Sequence, residues 1–189
     1  MKKYGLLLLV LMTLVMAVGA LAESAATVAP AADAAAPMDS VIGAFSTVDM
    51  QGSAVDSNVF AASKLTLVNV WATFCPPCVG EIPDLAKLDQ EIDGFQVLGV
   101  LADAGTKDAI DSNNLELGKQ ILSDSGAAYT SILPDDVLNE KLMAGVYAVP
   151  TSFFVDENGQ KVGEDIVGSK SYDEWKTEIE QKLAQVEAS

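Results

Sequence analysis

The chain has 189 residues, with 27 acidic residues, 11 lysines, no arginine and no histidine, which gives a formal charge of −16. Without histidine there is no Ser-His-Asp or Cys-His nucleophile pair, no histidine metal site and no Cys-x-x-Cys-His haem attachment. Without arginine there is no bidentate phosphate clamp, and the acidic charge argues against a nucleic-acid partner because phosphates need a basic surface. Two cysteines, three positions apart, are where chemistry is expected.

The first 22 residues predict an export signal. Lys2 and Lys3 precede an apolar run from Leu6 to Val18, and the small-x-small sequence Ala20-Leu21-Ala22 follows it. This run is short for a membrane span and has the length of a signal-peptide core. An uncleaved membrane anchor at 1–22 is the alternative that the sequence leaves open. Either alternative places the rest of the protein outside the cytoplasm, in the periplasm or at the cell surface.

Residues 23–38 are rich in alanine and contain Pro30 and Pro37. Such a composition predicts a linker without a core, which would hold the following domain away from a membrane if the anchor is kept. The pattern becomes globular at about Asp39, so we predict one folded domain over 39–189.

The first half of this domain predicts a strand, a helix and a second strand. The strands are Leu65–Trp71 and Phe95–Leu101, and the helix runs from Pro76 to about Ile92 with apolar residues at helical spacing. A strand–helix–strand unit of this length implies two parallel strands joined by a crossover.

The second half predicts an inserted α/β stretch over 103–148, followed by a hairpin and a last helix. The insertion contains a helix at about 114–124, a short strand near Tyr129–Leu133 and a helix at about 135–144. Strands Thr151–Val155 and Gln160–Ile166 flank Asn158-Gly159, a hairpin sequence, and Ser171-x-x-Glu174 is a capping box that opens the last helix. The order predicts an α/β sandwich around a mixed sheet.

Both cysteines lie where the first strand ends and the helix begins. Cys75 stands at the helix N-terminus, where unpaired N–H groups and the helix dipole favour a thiolate. Pro76 and Pro77 fit the first helical turn, which needs no N–H donors, and Cys78 follows one turn later on the same face. A low-pKa outer thiol beside an inner resolving thiol is the arrangement for thiol–disulfide exchange.

Two other interpretations of the cysteine pair are weaker. A structural disulfide closing so short a loop would contribute only about 2 kcal/mol on the chain-entropy model. A zinc site needs four ligands, and the sequence holds no further cysteine and no histidine.

Two segments carry a resemblance to a known family. Residues 67–83 are LVNVWATFCPPCVGEIP, and residues 145–151 are GVYAVPT. Together they resemble the thioredoxin superfamily, and specifically its TlpA/ResA-like extracytoplasmic thiol–disulfide oxidoreductases, over about residues 39–187. The resemblance implies a thioredoxin-like sandwich, with a central mixed β-sheet flanked by helices, an N-terminal extension and a central α/β insertion.

The resemblance also implies roles for individual residues. Cys75 would be the attacking thiol and Cys78 the resolving thiol, and their redox-active disulfide would be the only cofactor. Pro150 would be a cis-proline facing the disulfide, and the Val149 backbone would pair with an incoming extended substrate. An ordinary trans proline at the start of a strand is the alternative for Pro150. Phe74, together with the prolines of the motif, would offer apolar contact to the substrate.

Glu81 matches an acidic residue that this group carries one turn beyond the inner cysteine. It would accept the proton of Cys78 if burial raises its pKa towards that of the thiol. The alternative is a solvated glutamate favoured by the helix dipole. Asn69 stands where ordinary thioredoxins have a buried aspartate, which leaves Glu81 as the better proton acceptor.

The implied function is an exported reductase of protein disulfides. It would receive electrons from a membrane thiol-electron transporter of the CcdA/DsbD type and pass them to substrates such as apocytochrome c or an exported methionine sulfoxide reductase. The same residues would also serve a disulfide oxidase or isomerase, and a non-catalytic partner-binding domain is a further alternative.

Overall fold

The computed structural model describes residues 42–188. The predicted export segment 1–22 and linker 23–38 lie outside the described residues, as do the first three residues of the predicted domain. Within the described range, no helix is both long enough and apolar enough to cross a bilayer.

The described chain alternates short strands with four α-helices. In chain order the elements are β1 Ser46–Val48, β2 Ala54–Asp56, β3 Leu65–Trp71, α1 Pro76–Glu91, β4 Phe95–Leu101, β5 Gly105–Thr106, β6 Ala109–Ile110, α2 Ser112–Asp124, β7 Ser131–Ile132, α3 Asp136–Lys141, β8 Thr151–Asp156, β9 Ile166–Val167 and α4 Tyr172–Glu187. Short 3₁₀ turns at Ser57–Ala62 and Met143–Gly145 complete the list.

Five of these strands form a mixed sheet in the order β7-β4-β3-β8-β9. Strand β3 is parallel to β4, and β4 is parallel to β7, whereas β8 is antiparallel to both β3 and β9. The predicted parallel pair joined by helix α1 is therefore confirmed. All seven residues of β3 are buried, as expected for a central strand covered on both faces.

Apolar side chains cover both faces of this sheet. On one face Leu67 and Trp71 of β3 pack with α1 and α4, whose buried residues include Trp175 and Ile179. On the other face Val68 and Val70 belong to a second cluster of buried apolar residues, which is completed by residues from several elements: Ile42, Phe45, Phe60, Leu98, Val100, Ile132, Leu138, Leu142, Phe153 and Val155. Because side chains alternate along a strand, a continuous apolar run can serve both faces. The predicted α/β sandwich with a central mixed sheet is confirmed.

The hairpin predicted after β8 is only partly correct. Asn158 and Gly159 do form the turn, in which the Gly159 N–H donates to the Asp156 carbonyl. The predicted continuous strand Gln160–Ile166 was wrong: a single bridge at Lys161, with backbone hydrogen bonds between its two neighbours and β8, precedes the regular pairing that resumes at β9. The positive φ of 83° at Gly163 turns the chain away from an extended path between these points.

The insertion also differs in detail from its prediction. The predicted strand Tyr129–Leu133 shrinks to the two residues of β7, and the predicted helix 135–144 ends at Lys141 before a 3₁₀ turn. Helix α4 begins as predicted, with the capping box between Ser171 and Glu174.

Candidate active site

The cysteines form a disulfide at the N-terminus of α1. Cys75 is the N-cap residue, and its sulfur accepts a hydrogen bond from the Cys78 N–H at 3.2 Å. The Cα atoms are 5.3 Å apart across the Cys75–Cys78 bond. Cys75 is 5% exposed, whereas Cys78 is fully buried. Both cysteines are therefore buried, and Cys75, which alone keeps a small exposed fraction, is the outer one.

The loop that leads into Cys75 is held by hydrogen bonds to Asp103, which follows the end of β4. Both the N–H and the hydroxyl of Thr73 donate to the Asp103 carboxylate, over 3.1 Å and 2.5 Å. The Asp103 carbonyl in turn accepts a hydrogen bond of 2.7 Å from the Asn114 side chain of α2. This carboxylate, which the sequence did not single out, sets the position of the segment that carries Phe74 and Cys75.

The loop before β8 faces the outer sulfur. The peptide bond between Val149 and Pro150 is cis, as predicted. The Val149 carbonyl oxygen lies 3.5 Å from the Cys75 sulfur. Within residues 42–188, the Val149 backbone makes no hydrogen bond to another backbone group, so its N–H and C=O can pair with an extended chain.

Exposed apolar side chains lie next to Cys75 in the chain and on the loop that faces its sulfur. We define the apolar rim as Phe74, Pro76, Pro77 and Tyr147. Phe74 is 73% exposed and Tyr147 is 84% exposed, and both prolines are also exposed. The sequence predicted the first three as substrate contacts but assigned no role to Tyr147. Its position in the second motif, two residues before Val149, was the available indication.

Glu81 lies buried one turn beyond Cys78, with only 2% of its surface exposed. The Asn69 side-chain amide donates to Oε1 at 3.0 Å, while the Trp175 indole N–H and the Lys170 backbone N–H donate to Oε2 at 3.1 and 3.3 Å. Desolvation by burial raises the pKa of Glu81, with a smaller contribution from the Asp84 charge, and the three donors oppose this rise. The buried alternative for Glu81 is confirmed over the solvated one.

A row of small polar and glycine residues crosses the sheet beneath Glu81. We call it the polar row: Ser152 of β8, Asn69 of β3, Gly99 of β4 and Ser131 of β7 occupy neighbouring register positions. Asn69 Nδ2 donates to the Ser152 hydroxyl at 2.9 Å, and the buried Trp71 indole donates to the Ser131 hydroxyl at 3.2 Å. A Cβ added at Gly99 would lie 2.7 Å from the Ser131 Oγ and 3.3 Å from the Trp71 Nε1.

The family follows from comparison with known sequences. The sequence model of the Redoxin family matches residues 29–183, which is most of the chain. The chain belongs to the Redoxin family. Its thioredoxin-like fold and its disulfide at a helix N-terminus agree with this membership and with the predicted resemblance to TlpA/ResA-like proteins.

Relatives of this Redoxin-family protein include thiol–disulfide exchange proteins. It is 32% identical over 131 residues to the thiol:disulfide interchange protein DsbE of Pasteurella multocida, covering 67% of this chain and 65% of that protein. It is 28% identical to the thiol-disulfide oxidoreductase ResA of Halalkalibacterium halodurans, over 60% of each chain. The chain therefore spans less than two thirds of the length of these relatives.

Comparison with a solved structure supports the thioredoxin-like fold. The thiol:disulfide interchange protein of Chlorobium tepidum, described as a thioredoxin family protein, matches with a TM-score of 0.60 and 25% identity. The match covers 74% of this chain and 93% of that protein. The relatives and the cysteine pair together support thiol–disulfide oxidoreductase chemistry for this chain.

Proposed function

We propose that this protein is an extracytoplasmic protein-disulfide reductase. One observation carries the proposal: the disulfide joins Cys75, which caps a helix N-terminus and keeps a small exposed fraction, to the fully buried Cys78 one turn before the buried Glu81 carboxyl. The helix terminus favours the thiolate of Cys75, whereas burial favours the protonated thiol of Cys78. This difference assigns attack to the outer cysteine and resolution to the inner one.

The reaction has two exchange steps. The Cys75 thiolate attacks a substrate disulfide, forming a mixed disulfide and releasing one substrate thiolate, which takes a proton from water. Cys78 then gives its proton to the Glu81 carboxylate and attacks the Cys75 sulfur, which frees the second substrate sulfur. Two electrons pass from the dithiol to the substrate, and Cys75 and Cys78 end joined. Glu81 acts as the general base and afterwards loses the proton.

The substrate binds at the loop and rim beside Cys75. The Val149 backbone, which makes no hydrogen bond to another backbone group within residues 42–188, receives an extended segment by strand-like pairing. Phe74 and the exposed prolines of α1 provide apolar contact on the other side of the sulfur. The side chains thus determine affinity for the partner, while the backbone aligns its disulfide.

Continued reduction requires a source of electrons. We propose a membrane thiol-electron transporter of the CcdA/DsbD type as the donor, and apocytochrome c or an exported methionine sulfoxide reductase as substrates. The similarity to the thiol:disulfide interchange protein DsbE and the thiol-disulfide oxidoreductase ResA, together with the predicted export segment, supports this assignment. No cofactor besides the cysteine pair enters the reaction.

The direction of electron flow is tested by the reduction potential. A value near about −270 mV supports a reductase, and a value near about −120 mV would make the protein an oxidant. Equilibration with glutathione or dithiothreitol buffers, followed by alkylation and mass measurement, gives this value.

The reaction itself is tested by insulin reduction with dithiothreitol as the electron source. Cys75→Ser is expected to lower turnover to the rate without protein, because no attacking thiol remains. Cys78→Ala is expected to accumulate a mixed disulfide through Cys75, visible on a non-reducing gel. Equal turnover by wild type and Cys75→Ser would overturn the proposal.

A further inference from the structure

The amide nitrogen of Asn69 is hydrogen-bonded, whereas its amide oxygen has no partner among the described residues. Its Nδ2 donates both to Glu81 Oε1 and to the Ser152 hydroxyl. Its Oδ1 is buried and, among the described residues, has no hydrogen-bond partner. Buried polar atoms are nearly always paired, so an unpaired oxygen on an amide whose nitrogen holds a buried carboxyl requires a reason.

The hydrogen bonds to Glu81 determine which oxygen can hold a proton. Oε2 accepts from two N–H donors, the indole of Trp175 and the backbone of Lys170. An indole N–H and a backbone N–H can only donate, so a proton on Oε2 would face two donors. When Glu81 is protonated, the proton must therefore lie on Oε1, the oxygen that faces Asn69.

A proton on Oε1 would also face a donor in the present arrangement, because Asn69 presents Nδ2 there. A half-turn of the amide about its last torsion exchanges Nδ2 and Oδ1, which have nearly the same size. Oδ1 would then accept from the Glu81 carboxyl. Ser152 suits both arrangements, because a hydroxyl accepts from Nδ2 in one and donates to Oδ1 in the other.

We propose that Asn69 is a two-way positioning residue for Glu81. Its Nδ2 holds the carboxylate, and its Oδ1 holds the protonated carboxyl after the amide turns. No proton crosses the amide: the proton that Glu81 receives stays on Oε1, and only the direction of the Asn69–Ser152 hydrogen bond reverses. This inference rests on the proposed role of Glu81 as the base for Cys78.

Other ionisable groups surround Glu81 and belong in any account of its titration. Asp84 lies on α1 with Glu81, and Cys78 lies one turn before Glu81 on the same helix. The Tyr129 hydroxyl is buried on the same face of the sheet, and its pKa is raised by burial and by the charge of Glu81. The Lys170 ammonium lies 6.0 Å from the Trp175 ring centroid. None of them touches Asn69 through a hydrogen bond in the described chain.

The test uses the full protein in its oxidised form, so that Cys75 and Cys78 do not titrate. Nuclear magnetic resonance follows Glu81 Cδ together with the Asn69 Cγ and Nδ2 resonances as the pH changes. A turning amide is expected to shift all three with one midpoint, since Oδ1 gains two donors while Nδ2 loses two acceptors. A fixed amide would leave Asn69 Cγ nearly unchanged while Glu81 titrates, and this result would overturn the inference.

Glu81→Gln gives a second, independent test. The donors from Trp175 and Lys170 require the glutamine oxygen on their side, which directs its NH₂ towards Asn69. The Asn69 Cγ resonance is therefore expected to stay at its low-pH position at every pH. A resonance that stays at the high-pH position would contradict the proposal.

Kinetics separate this inference from the proposed function. Asn69→Leu removes a partner of both the carboxylate and the protonated carboxyl, so the pH midpoint for mixed-disulfide resolution is expected to move less than in Trp175→Phe, which removes a donor that serves the carboxylate alone. Ser131→Ala, in the same polar row but without contact to Glu81, is the matched control and is expected to leave the midpoint unchanged. If Cys75→Ser turns over insulin like wild type, the proposed function fails. The resonance titration does not depend on turnover, so it tests the amide by itself.

Discussion

The two sides of the disulfide differ in nearly every physical property. On the outer side, the apolar rim consists of exposed side chains that carry no charge. On the inner side, Glu81 accepts hydrogen bonds from the Asn69 amide, the Trp175 indole and a backbone N–H. The side chains of Glu81, Asn69 and Trp175 are all buried. The separation teaches that partner recognition and proton transfer are handled by different groups, on opposite sides of one sulfur–sulfur bond. Substitutions on each side should therefore affect different steps.

Among the substitutions that compare the two sides, Glu81→Gln is expected to have the largest effect on a reaction rate. If the inner side serves proton transfer, this variant slows decay of the mixed disulfide by about 10²-fold, the usual contribution of a general base. Its formation by Cys75 should keep its rate. Rapid-quench kinetics with alkylation resolve the two steps. Glu91→Gln, an exposed acid on the same helix, is the control, and equal slowing in both variants would remove the distinction between the two sides.

An intermediate effect is expected from the apolar rim. Phe74→Ser and Tyr147→Ser should each lower kcat/KM for a protein disulfide by roughly tenfold, which corresponds to about 1.4 kcal/mol of lost contact. The rate with a small aromatic disulfide reagent should change little, because such a reagent does not span the rim. Leu117→Ser, which alters a 48% exposed side chain on α2, is the control. Equal losses with both substrates would show that the rim acts on the sulfur itself.

The smallest effect concerns stability and pH. Because burial raises the pKa of Glu81 above its ordinary 4.5, the folded protein keeps this proton to higher pH than the unfolded chain. The stability from this group is complete below pH 4.5 and is lost as pH rises through the window up to the raised pKa. Glutamine does not ionise, so Glu81→Gln lacks this loss. The free energy of unfolding of the variant minus that of wild type should therefore increase from pH 4 to pH 7, by about 1.4 kcal/mol for each unit by which the folded-state pKa of Glu81 exceeds the unfolded-state pKa.

Urea unfolding of the oxidised proteins measures that difference. Asp89, whose pKa is also raised by burial, is present in both proteins and cancels. A difference that does not change with pH would mean that Glu81 ionises in the folded protein as it does in the unfolded chain.

The outer side of the site was more predictable from the sequence than the inner side. Cys75, the prolines and the helix N-terminus are adjacent in sequence, so local rules place them together. Pro150 needed the resemblance to a family because its loop meets Cys75 from a distant segment, and Glu81 needed it because its burial and hydrogen bonds depend on Asn69 and Trp175. Trp175 and Ser152 could not be predicted as partners of the site, since only the packing of α4 and the pairing of β8 bring them there.

The same distinction applies to the fold. Strand β3 and helix α1 have strong periodic patterns, and the structure reproduces both at the predicted positions. The segment after Asn158-Gly159 has a clear turn but a weak strand pattern, and Gly163 interrupts its pairing with β8. Local turn chemistry is encoded within a few residues, whereas strand pairing beyond the turn depends on the whole sheet edge.

Gly99 has a consequence for attempts to engineer a more heat-resistant variant. Replacing a glycine within a strand is a common choice, since glycine gives the unfolded chain extra freedom and contributes no packing. Here the first carbon of any replacement would meet the Ser131 hydroxyl at 2.7 Å and crowd the Trp71 indole. The usual gain would become a loss, so a thermostability library should leave this codon fixed and vary surface positions instead.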